Sequence, residues 1–459
     1  MASHSGTRPA LRGCPWPVQV FAVDDCSAQL TWRASPAEDL RVEIGDFVAC
    51  PVASPRAELV LSLLGSLGAP HPWTGPGRGS GSTGDSNEVI PGGTAGDWPA
   101  PLGTTRRWAP LHLAGTRPLD PAWPAGPGAL LVEGLSPGTT YDVVASARGV
   151  PRFRAGRFRT LCPPGGRLLC RFATVSDLHI GEQHFGVMGR IYDGFGTRAG
   201  AETYPVRCLL AAMAEAARWG AELVVAKGDL TRQATPAELR DAGKLLAACP
   251  VPVEAILGNH DNQFGADAHA LLASQGISVP WQPWARDLPG LRLVLVQTPH
   301  GDPRYHRGQL PKSAARRVVE LAAGPTTPAW VALHHPPEMH RYPVAYPRGI
   351  PFGESRELLD ALAAAKPASF VTCGHRHRSR LYRFGPLAIS EVGSTKDYPG
   401  VWAGYKVYEG GIVQTVRRTS HPDVIAWTEA TRRAMNGQWC RWAPGRLEDR
   451  CFTVEWPAE

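Results

Sequence analysis

Hydrophobic positions follow two regimes along this chain. Up to about residue 164 they alternate with polar ones over short stretches, at 18–23, 28–32, 129–132, 141–146 and 152–160, with turn residues between. A period of two predicts half-buried β-strands. From Arg171 the pattern changes to continuous apolar runs at 171–176, 223–227, 253–257, 291–297, 330–333 and 370–373. Such runs mark strands buried on both faces. Between the first two, Val206, Leu209, Leu210, Met213 and Ala217 recur at spacings of three and four and predict an amphipathic helix. Thr235-Pro236-Ala237-Glu238 opens another, with Thr235 as N-cap, Pro236 at the first helical position and Glu238 placed for a capping box. Strands alternating with helices predict a layered α/β domain at 165–418, preceded by an all-β domain at 1–164. Residues 65–105, rich in Gly, Pro and Ser, read as a flexible insertion in that first domain, and 419–459 read as an Arg- and Trp-containing tail.

All but one of the apolar runs in the α/β region end directly in a polar cluster. The clusters are Ser176-Asp177-Leu178-His179, Gly228-Asp229, Gly258-Asn259-His260-Asp261, His334-His335-Pro336-Pro337 and Gly374-His375-Arg376-His377; the exception is 291–297. Loops at the carboxyl ends of strands are where α/β folds place their ligand sites, so these clusters are expected to converge. Asp177, Asp229, Asn259 and the imidazoles supply oxygen and nitrogen donors without a thiolate, which suits Mn, Fe, Zn or Ni rather than a structural zinc site. Seven donors exceed the needs of one tetrahedral ion. Two ions bridged by one carboxylate would use them all, and two ions about 3.5 to 4 Å apart suit in-line displacement at a phosphoryl group.

Composition adds limits. The chain has 459 residues, enough for two or three domains, and 43% of them are hydrophobic against 19% charged, a globular balance. A net charge of +7 hints at nucleic acid, but only six of the 48 basic residues are lysine, as in an Arg-rich composition set by codon usage. Nucleic acid is therefore not expected as a partner. Eleven of the 15 histidines lie between His179 and His377, within the region of the polar clusters. No apolar run approaches the roughly 18 residues that span a bilayer, and residues 1–17 contain no apolar signal core, so a soluble, unsecreted protein with no membrane partner is expected. Ten cysteines without a C-x-x-C pair fit reduced thiols in a cytoplasm.

Two resemblances sharpen the picture. The run Leu135-Ser-Pro-Gly-Thr-Thr-Tyr141, a Leu and a tight turn leading into a strand Tyr, has the form of a tyrosine corner. With Trp32 on an early strand, the first domain resembles a fibronectin type III domain, an immunoglobulin-like β-sandwich. The five clusters, in order, resemble the calcineurin-like metallophosphoesterase superfamily, whose pattern is D-x-H, G-D, G-N-H-D or G-N-H-E, H, then G-H-x-H. That likeness covers about residues 171–416. It implies a four-layer α-β-β-α sandwich that binds two divalent metal ions and hydrolyses a small-molecule phosphodiester or phosphomonoester by attack of a bridging hydroxide. It further implies that Asp177, His179 and His377 bind one metal, Asn259, His334 and His375 the other, and that Asp229 bridges. His260 would stabilise the transition state or protonate the leaving oxygen, with Asp261 orienting it, and His335 would lie just outside the ligands, with the reverse assignment of His334 and His335 left open. The purple acid phosphatase tyrosine three residues after the bridging Asp is replaced by Arg232. Gly228-Asp229-Leu230-Thr231 and His334-His335-Pro336-Pro337 look most like bacterial relatives of class III cyclic nucleotide phosphodiesterases. His184, His300, His306 and His340 read as solvated loop histidines, and Arg376, Arg378 and Arg380 mainly as a solvated edge. A binding protein with a vestigial metal site and a nuclease of the same superfamily stay open as alternatives, as does the oligomeric state.

Overall fold

The computed structural model describes residues 18–32, 41–44, 47–51, 111–112, 127–147, 150–187, 190–197, 203–263, 267–302, 304–342 and 344–457; the 65–105 insertion lies outside the described residues. Eight strands come first: β1 (Val18–Val23), β2 (Ser27–Trp32), β3 (Arg41–Ile44), β4 (Phe47–Pro51), β5 (Leu111–His112), β6 (Gly128–Glu133), β7 (Thr140–Ala147) and β8 (Val150–Arg159). They form two antiparallel sheets, β1-β2-β6 and β5-β4-β3-β7-β8. Phe21, Leu30, Trp32 and Val132 of the first share a core with Ile44, Tyr141, Val143 and Phe158 of the second. The Tyr141 hydroxyl accepts from Ser136 N at 2.8 Å, a tyrosine-corner hydrogen bond that ties the turn to the strand it enters.

After Pro164 the chain builds two mixed six-stranded sheets. One has the order β13-β12-β9-β20-β21-β22, from β9 (Leu168–Val175), β12 (Val224–Lys227), β13 (Val253–Ile256), β20 (Val401–Tyr408), β21 (Gly411–Arg418) and β22 (Cys451–Glu455). The other has the order β14-β15-β16-β17-β19-β18, from β14 (Trp284–Leu288), β15 (Leu291–Leu295), β16 (Ala329–Ala332), β17 (Ser369–Cys373), β18 (Arg380–Phe384) and β19 (Leu387–Glu391). A separate hairpin, β10 (His184–Val187) with β11 (Arg190–Gly196), lies between β9 and the first helix in the chain.

Successive side chains of a strand face opposite ways, and this sorts the apolar runs into three cores. Phe172, Val225, Leu293, Trp330, Phe370 and Tyr405 fill the space between the sheets, with the Phe172 ring 4.7 Å from Tyr405 and 5.0 Å from Trp330. Their neighbours Ala173, Val224 and Ala226 point outward to Leu209 and Met213 of α1 (Tyr204–Arg218) and to Leu239 and Leu246 of α2 (Pro236–Ala247). The short α3 (Ala268–Ala273) adds Leu272 to the same layer. On the far side Val294, Val331 and Val371 meet Val318 of α4 (Lys312–Ala323) and Leu358 of α5 (Phe352–Ala365). The layers therefore run helix, sheet, sheet, helix. At the start of α2, Thr235 Oγ1 accepts from Glu238 N and the Glu238 carboxylate accepts from Thr235 N, both at 3.2 Å, which closes the capping box.

Beyond Thr419 the chain does not trail off. It forms α6 (Pro422–Thr431), α7 (Trp439–Trp442) and α8 (Leu447–Arg450), and then β22, which pairs along β21 as the edge of the first sheet. Pro422 just inside α6 was a readable helix start, but the packing that holds the segment is tertiary: the Trp427 ring stacks on Tyr204 of α1 at 3.7 Å. His421 caps α6, its Nδ1 accepting from Asp423 N at 3.3 Å. Burial, helped by the charges of Arg207 and Arg218, pushes the His421 imidazolium down to about 3. The unfolded chain takes up that proton near pH 6.5, so the stabilising contribution of neutral His421 is complete above that pH and is lost as pH falls toward the folded value. His421→Asn keeps a capping acceptor without the titration. It is expected to shrink the drop in Tm between pH 7 and pH 5, and thermal unfolding at the two pH values checks this.

The N-terminal sheets are sealed onto the α/β layers by buried polar contacts. Asp24 accepts from Arg417 Nη2 at 2.5 Å and lies 3.2 Å from Lys406 Nζ, which also pairs with Asp25. The Gln29 amide donates to Arg418 O at 2.7 Å and accepts from Arg418 N at 2.8 Å. No helix among the described residues is long and apolar enough to cross a membrane.

Candidate metal centre

The five polar clusters meet at one end of the two sheets, and the backbone is bent to bring them there. Eight described non-glycine residues have positive φ, and five of them are Asp177, His179, Asp229, His375 and His377. Left-handed conformations in bulky residues persist where the surroundings enforce them, and they concentrate at functional sites. Two glycines make the crowding possible. A Cβ at Gly258 would lie 2.2 Å from Asp229 Oδ1, and one at Gly374 would lie 2.0 Å from Ser176 Oγ and 2.7 Å from Asp177 Oδ2.

Asp177, His179, Asp229 and His377 form one cluster, with a donor atom from each within 4.8 Å of the others. Asp177 Oδ1 accepts from His375 N at 2.9 Å and lies 3.4 Å from His377 Nε2, while Oδ2 accepts from Ser176 Oγ at 2.7 Å. His377 Nδ1 meets Asp397 Oδ2 at 2.7 Å, which turns Nε2 toward the cluster. Asp397 lies in a loop after β19 with no motif around it, so sequence reasoning missed it. Glu182 was missed as well. Its carboxylate takes Lys396 Nζ at 2.9 Å and the Tyr204 hydroxyl, and lies 3.8 Å from His179 Nδ1.

His334, His335 and His375 form the second cluster. His334 Nδ1 donates to Lys227 O at 2.8 Å, leaving Nε2 facing Asp229 Oδ1 at 3.3 Å. His335, which the sequence reading placed outside the ligands, has its ring 4.4 Å from that of His375. Thr298 Oγ1 lies 2.9 Å from His335 Nδ1, so the run at 291–297 also leads into a residue that orients the site. Asn259 Nδ2 donates to His306 Nδ1 at 3.2 Å, leaving Asn259 Oδ1 buried and unpartnered. His306 and His184 line the cavity; His300 and His340 do not.

Asp229 joins the clusters. Its Oδ2 lies 3.6 Å from His179 Nε2 and its Oδ1 3.3 Å from His334 Nε2, too long for good hydrogen bonds. Nitrogen and oxygen atoms at this spacing match two bonds of about 2.1 Å to a shared ion at angles scattered around the tetrahedral one. His179 Nδ1 and Nε2, His334 Nε2, His335 Nε2 and Asn259 Oδ1 are all buried without a hydrogen-bond partner. Buried polar atoms are nearly always satisfied, so this convergence fits a site built for cations. Burial and neighbouring charge hold His179, His335 and His375 well below the usual imidazole range, whereas Asp229 lifts His334 and the Asp397 and Asp177 carboxylates raise His377 against their burial. Burial opposes ionisation of Asp229, yet His334, His260 and His179 hold its carboxyl well below the usual range.

His260 and Asp261 part company. His260 Nδ1 donates to Arg232 O at 2.6 Å, and its ring lies 4.5 Å from that of His179. The Asp261 carboxylate instead accepts from Gly258 N, Leu230 N, Thr231 N and Thr231 Oγ1, at 2.8 to 3.0 Å. Burial, with repulsion from Asp229, raises its pKa to about 6. The expectation that Asp261 orients His260 is therefore corrected: Asp261 pins the backbone that carries Asp229, and a carbonyl orients His260. The arginines read as a solvated edge are also placed differently. Arg376 and Arg378 are buried, paired with Glu338 and Glu391, and Arg380 reaches Asp449 at 3.5 Å.

The clusters open into a cavity of about 800 Å³. Its outer walls come from the segments 182–187, 344–347 and 435–442.

Residues 170–379 match the calcineurin-like phosphoesterase family, so the chain contains a domain of that family. No curated protein matches the chain. Among solved structures, a purple acid phosphatase from yellow lupin (Lupinus luteus) seeds is similar at 12% identity and a TM-score of 0.40, over 88% of this chain and 72% of that one. PhoD is similar at 10% identity and a TM-score of 0.38, over 88% of this chain and 87% of that one. The phosphopantetheinyl hydrolase of Mycobacterium tuberculosis is similar at 14% identity and a TM-score of 0.28, over 50% of this chain and 90% of that one.

Proposed function

We propose that the calcineurin-like phosphoesterase domain of this chain hydrolyses a small-molecule phosphodiester or phosphomonoester with two divalent metal ions. The observation that carries this reading is the sharing of Asp229 between two clusters of unpartnered, buried donor atoms. Asp177, His179 and His377 would hold one ion and Asn259, His334 and His375 the other, with Asp229 between; His335 Nε2 is a further donor on the second side. Such ions, when bound, polarise a phosphoryl oxygen and make water a nucleophile at neutral pH.

The chain's own residues do the rest. The Arg232 carbonyl holds the Nδ1 proton of His260, which leaves Nε2 as the atom to hand a proton to the leaving oxygen or to hydrogen-bond the phosphoryl group. Asp261, through four accepted hydrogen bonds, fixes the loop that aims Asp229. Asp397 fixes the His377 ring. In the N-terminal sheets, the tyrosine-corner hydrogen bond and the core shared around Trp32 support a fibronectin type III-like domain.

Asp397→Ala removes the partner of His377 Nδ1 and is expected to weaken metal binding by about 10- to 100-fold with little change in fold. Isothermal titration of metal-free protein with Mn²⁺ measures it; wild-type affinity in the variant refutes the role. The test of the reading as a whole is hydrolysis of generic aryl phosphoesters by protein reconstituted with Mn, Fe, Zn or Ni. Tight metal binding without turnover across a mono- and diester panel would favour a binding protein instead.

A further inference from the structure

The cavity wall beside the His377 turn is aromatic, and it comes from the segment that reads as a tail in the sequence. The Trp439 ring lies 6.2 Å from that of His377; the residue is 5% exposed, and its Nε1 has no hydrogen-bond partner. Trp442 is held from two sides. Its Nε1 donates to Arg376 O at 3.3 Å, and the Arg378 guanidinium lies 4.2 Å from its ring centre. Those arginines are fixed in turn, Arg376 by Glu338 at 2.5 Å and Glu391 at 2.9 Å, and Arg378 by Glu391 at 2.5 Å. Because Arg376 sits between His375 and His377, the Trp442 ring is tied to the turn that carries both histidines. Val344 and Tyr346, which also line the cavity, are 76% and 54% exposed.

The charges of this wall favour an anion with an apolar substituent. The carboxylates among the described lining residues are Asp229 and Glu182. Asp229 faces the imidazoles, and Glu182 is taken by Lys396 and Tyr204. Arg232 and Arg441 also line the cavity. A phosphoryl group seated on the two clusters carries its ester substituents into this cavity, so a substituent on the His377 side can reach the wall that Trp439 and Trp442 form beside that residue. The half-buried Trp442 indole, already held rigid, gains from stacking an apolar ring on its open surface at little ordering cost, whereas a small alkyl group leaves more of that surface in water.

We propose that this wall is a subsite for an apolar, ring-bearing alcohol group of the phosphoester, with Trp442 and Trp439 setting specificity. The proposal rests on the phosphoesterase reading above and names its substrate class: esters with an aromatic substituent over small alkyl ones.

Two diesters with one leaving group and different retained groups test it. Metal-reconstituted full-length protein is assayed with phenyl p-nitrophenyl phosphate and with methyl p-nitrophenyl phosphate. The expected result is about a tenfold higher kcat/KM for the phenyl ester, expressed mainly in KM. Trp442→Leu should bring the two within about threefold, and Trp442→Phe, which keeps a ring, should retain most of the preference. As a binding readout, phenylphosphonate should bind the wild type about tenfold tighter than methylphosphonate by calorimetry, with the difference lost in Trp442→Leu. Should the leucine variant fail to fold, the wild-type preference and the phenylalanine variant still decide. Equal use of the two esters by the wild type overturns the subsite and leaves the phosphoesterase reading intact. Turnover of neither ester overturns the diester half of the phosphoesterase reading, and the phosphonate titration then decides the subsite alone.

Discussion

Asp229→Asn is expected to abolish metal-dependent hydrolysis, with a loss of roughly 10³-fold or more in kcat/KM. The substitution keeps the shape of the side chain but removes the one negative charge that both clusters share. Asp229 Oδ1 faces His334 and accepts from His260 N at 2.9 Å, while Oδ2 faces His179. A neutral amide presents only one acceptor oxygen, so one cluster loses its donor whichever way the amide turns. The imidazole balance shifts as well. Burial lowers the His334 pKa, but the Asp229 charge more than reverses that and lifts it to about 9. Without that charge His334 should titrate lower. Calorimetric metal titration alongside steady-state assays checks the prediction, which expects at most one tight site in the variant. Near-normal turnover in metal-replete Asp229→Asn would contradict it.

The second large effect concerns stability. Asp24→Ala is expected to cost about 3 to 5 kcal/mol, because it leaves Arg417 and Lys406 buried with a charge removed from between them. Asp24 also accepts from Cys26 N at 2.8 Å and Ser27 N at 2.5 Å, so the turn between β1 and β2 loses two side-chain contacts too and keeps the backbone bond from Asp24 N to Ser27 O. Asp24, Asp25 and Cys26 lie close enough to resemble a metal cluster, but their charge is already matched by the two buried cations. Urea unfolding of wild type and variant measures the difference; a change below about 1 kcal/mol would show that the N-terminal sheets dock without this network. Among the described residues, none before His179 lines the cavity. The N-terminal sheets thus support the first α/β sheet from behind, through β20 and β21, and do not wall the cleft.

The parts of the site legible in the sequence were those whose chemistry is local. Each strand end carried its donors within one to four residues, so Asp177, His179, Asp229, Asn259, His334, His375 and His377 could be named before any contact was known. The parts that were not legible act across the fold. Asp397, Thr298 and His306 orient His377, His335 and Asn259 from loops distant in sequence, and nothing in their own neighbourhoods marks them. Asp261 shows the opposite error. Being next to His260 in sequence suggested a shared task, but adjacent residues of the single turn at Asn259–Asn262 project in different directions, one toward His179 and the other back under the Asp229 loop. The fold divides the same way. The apolar runs predicted the central strands to within a few residues, while α6 to α8 and β22 escaped because Trp427, Trp439 and Cys451 are buried by partners elsewhere in the chain. That segment supplies the aromatic wall of the cavity.

The central claim, that the two clusters sharing Asp229 form a two-ion phosphoesterase centre, is tested most directly by titrating metal-free protein with Mn²⁺ while following hydrolysis of bis(p-nitrophenyl) phosphate and p-nitrophenyl phosphate. The account predicts no turnover without metal and activity on at least one ester that rises to a plateau at two equivalents of tightly bound ion per chain. Turnover that is indifferent to metal, or a chain that binds two equivalents and hydrolyses neither ester, would contradict it.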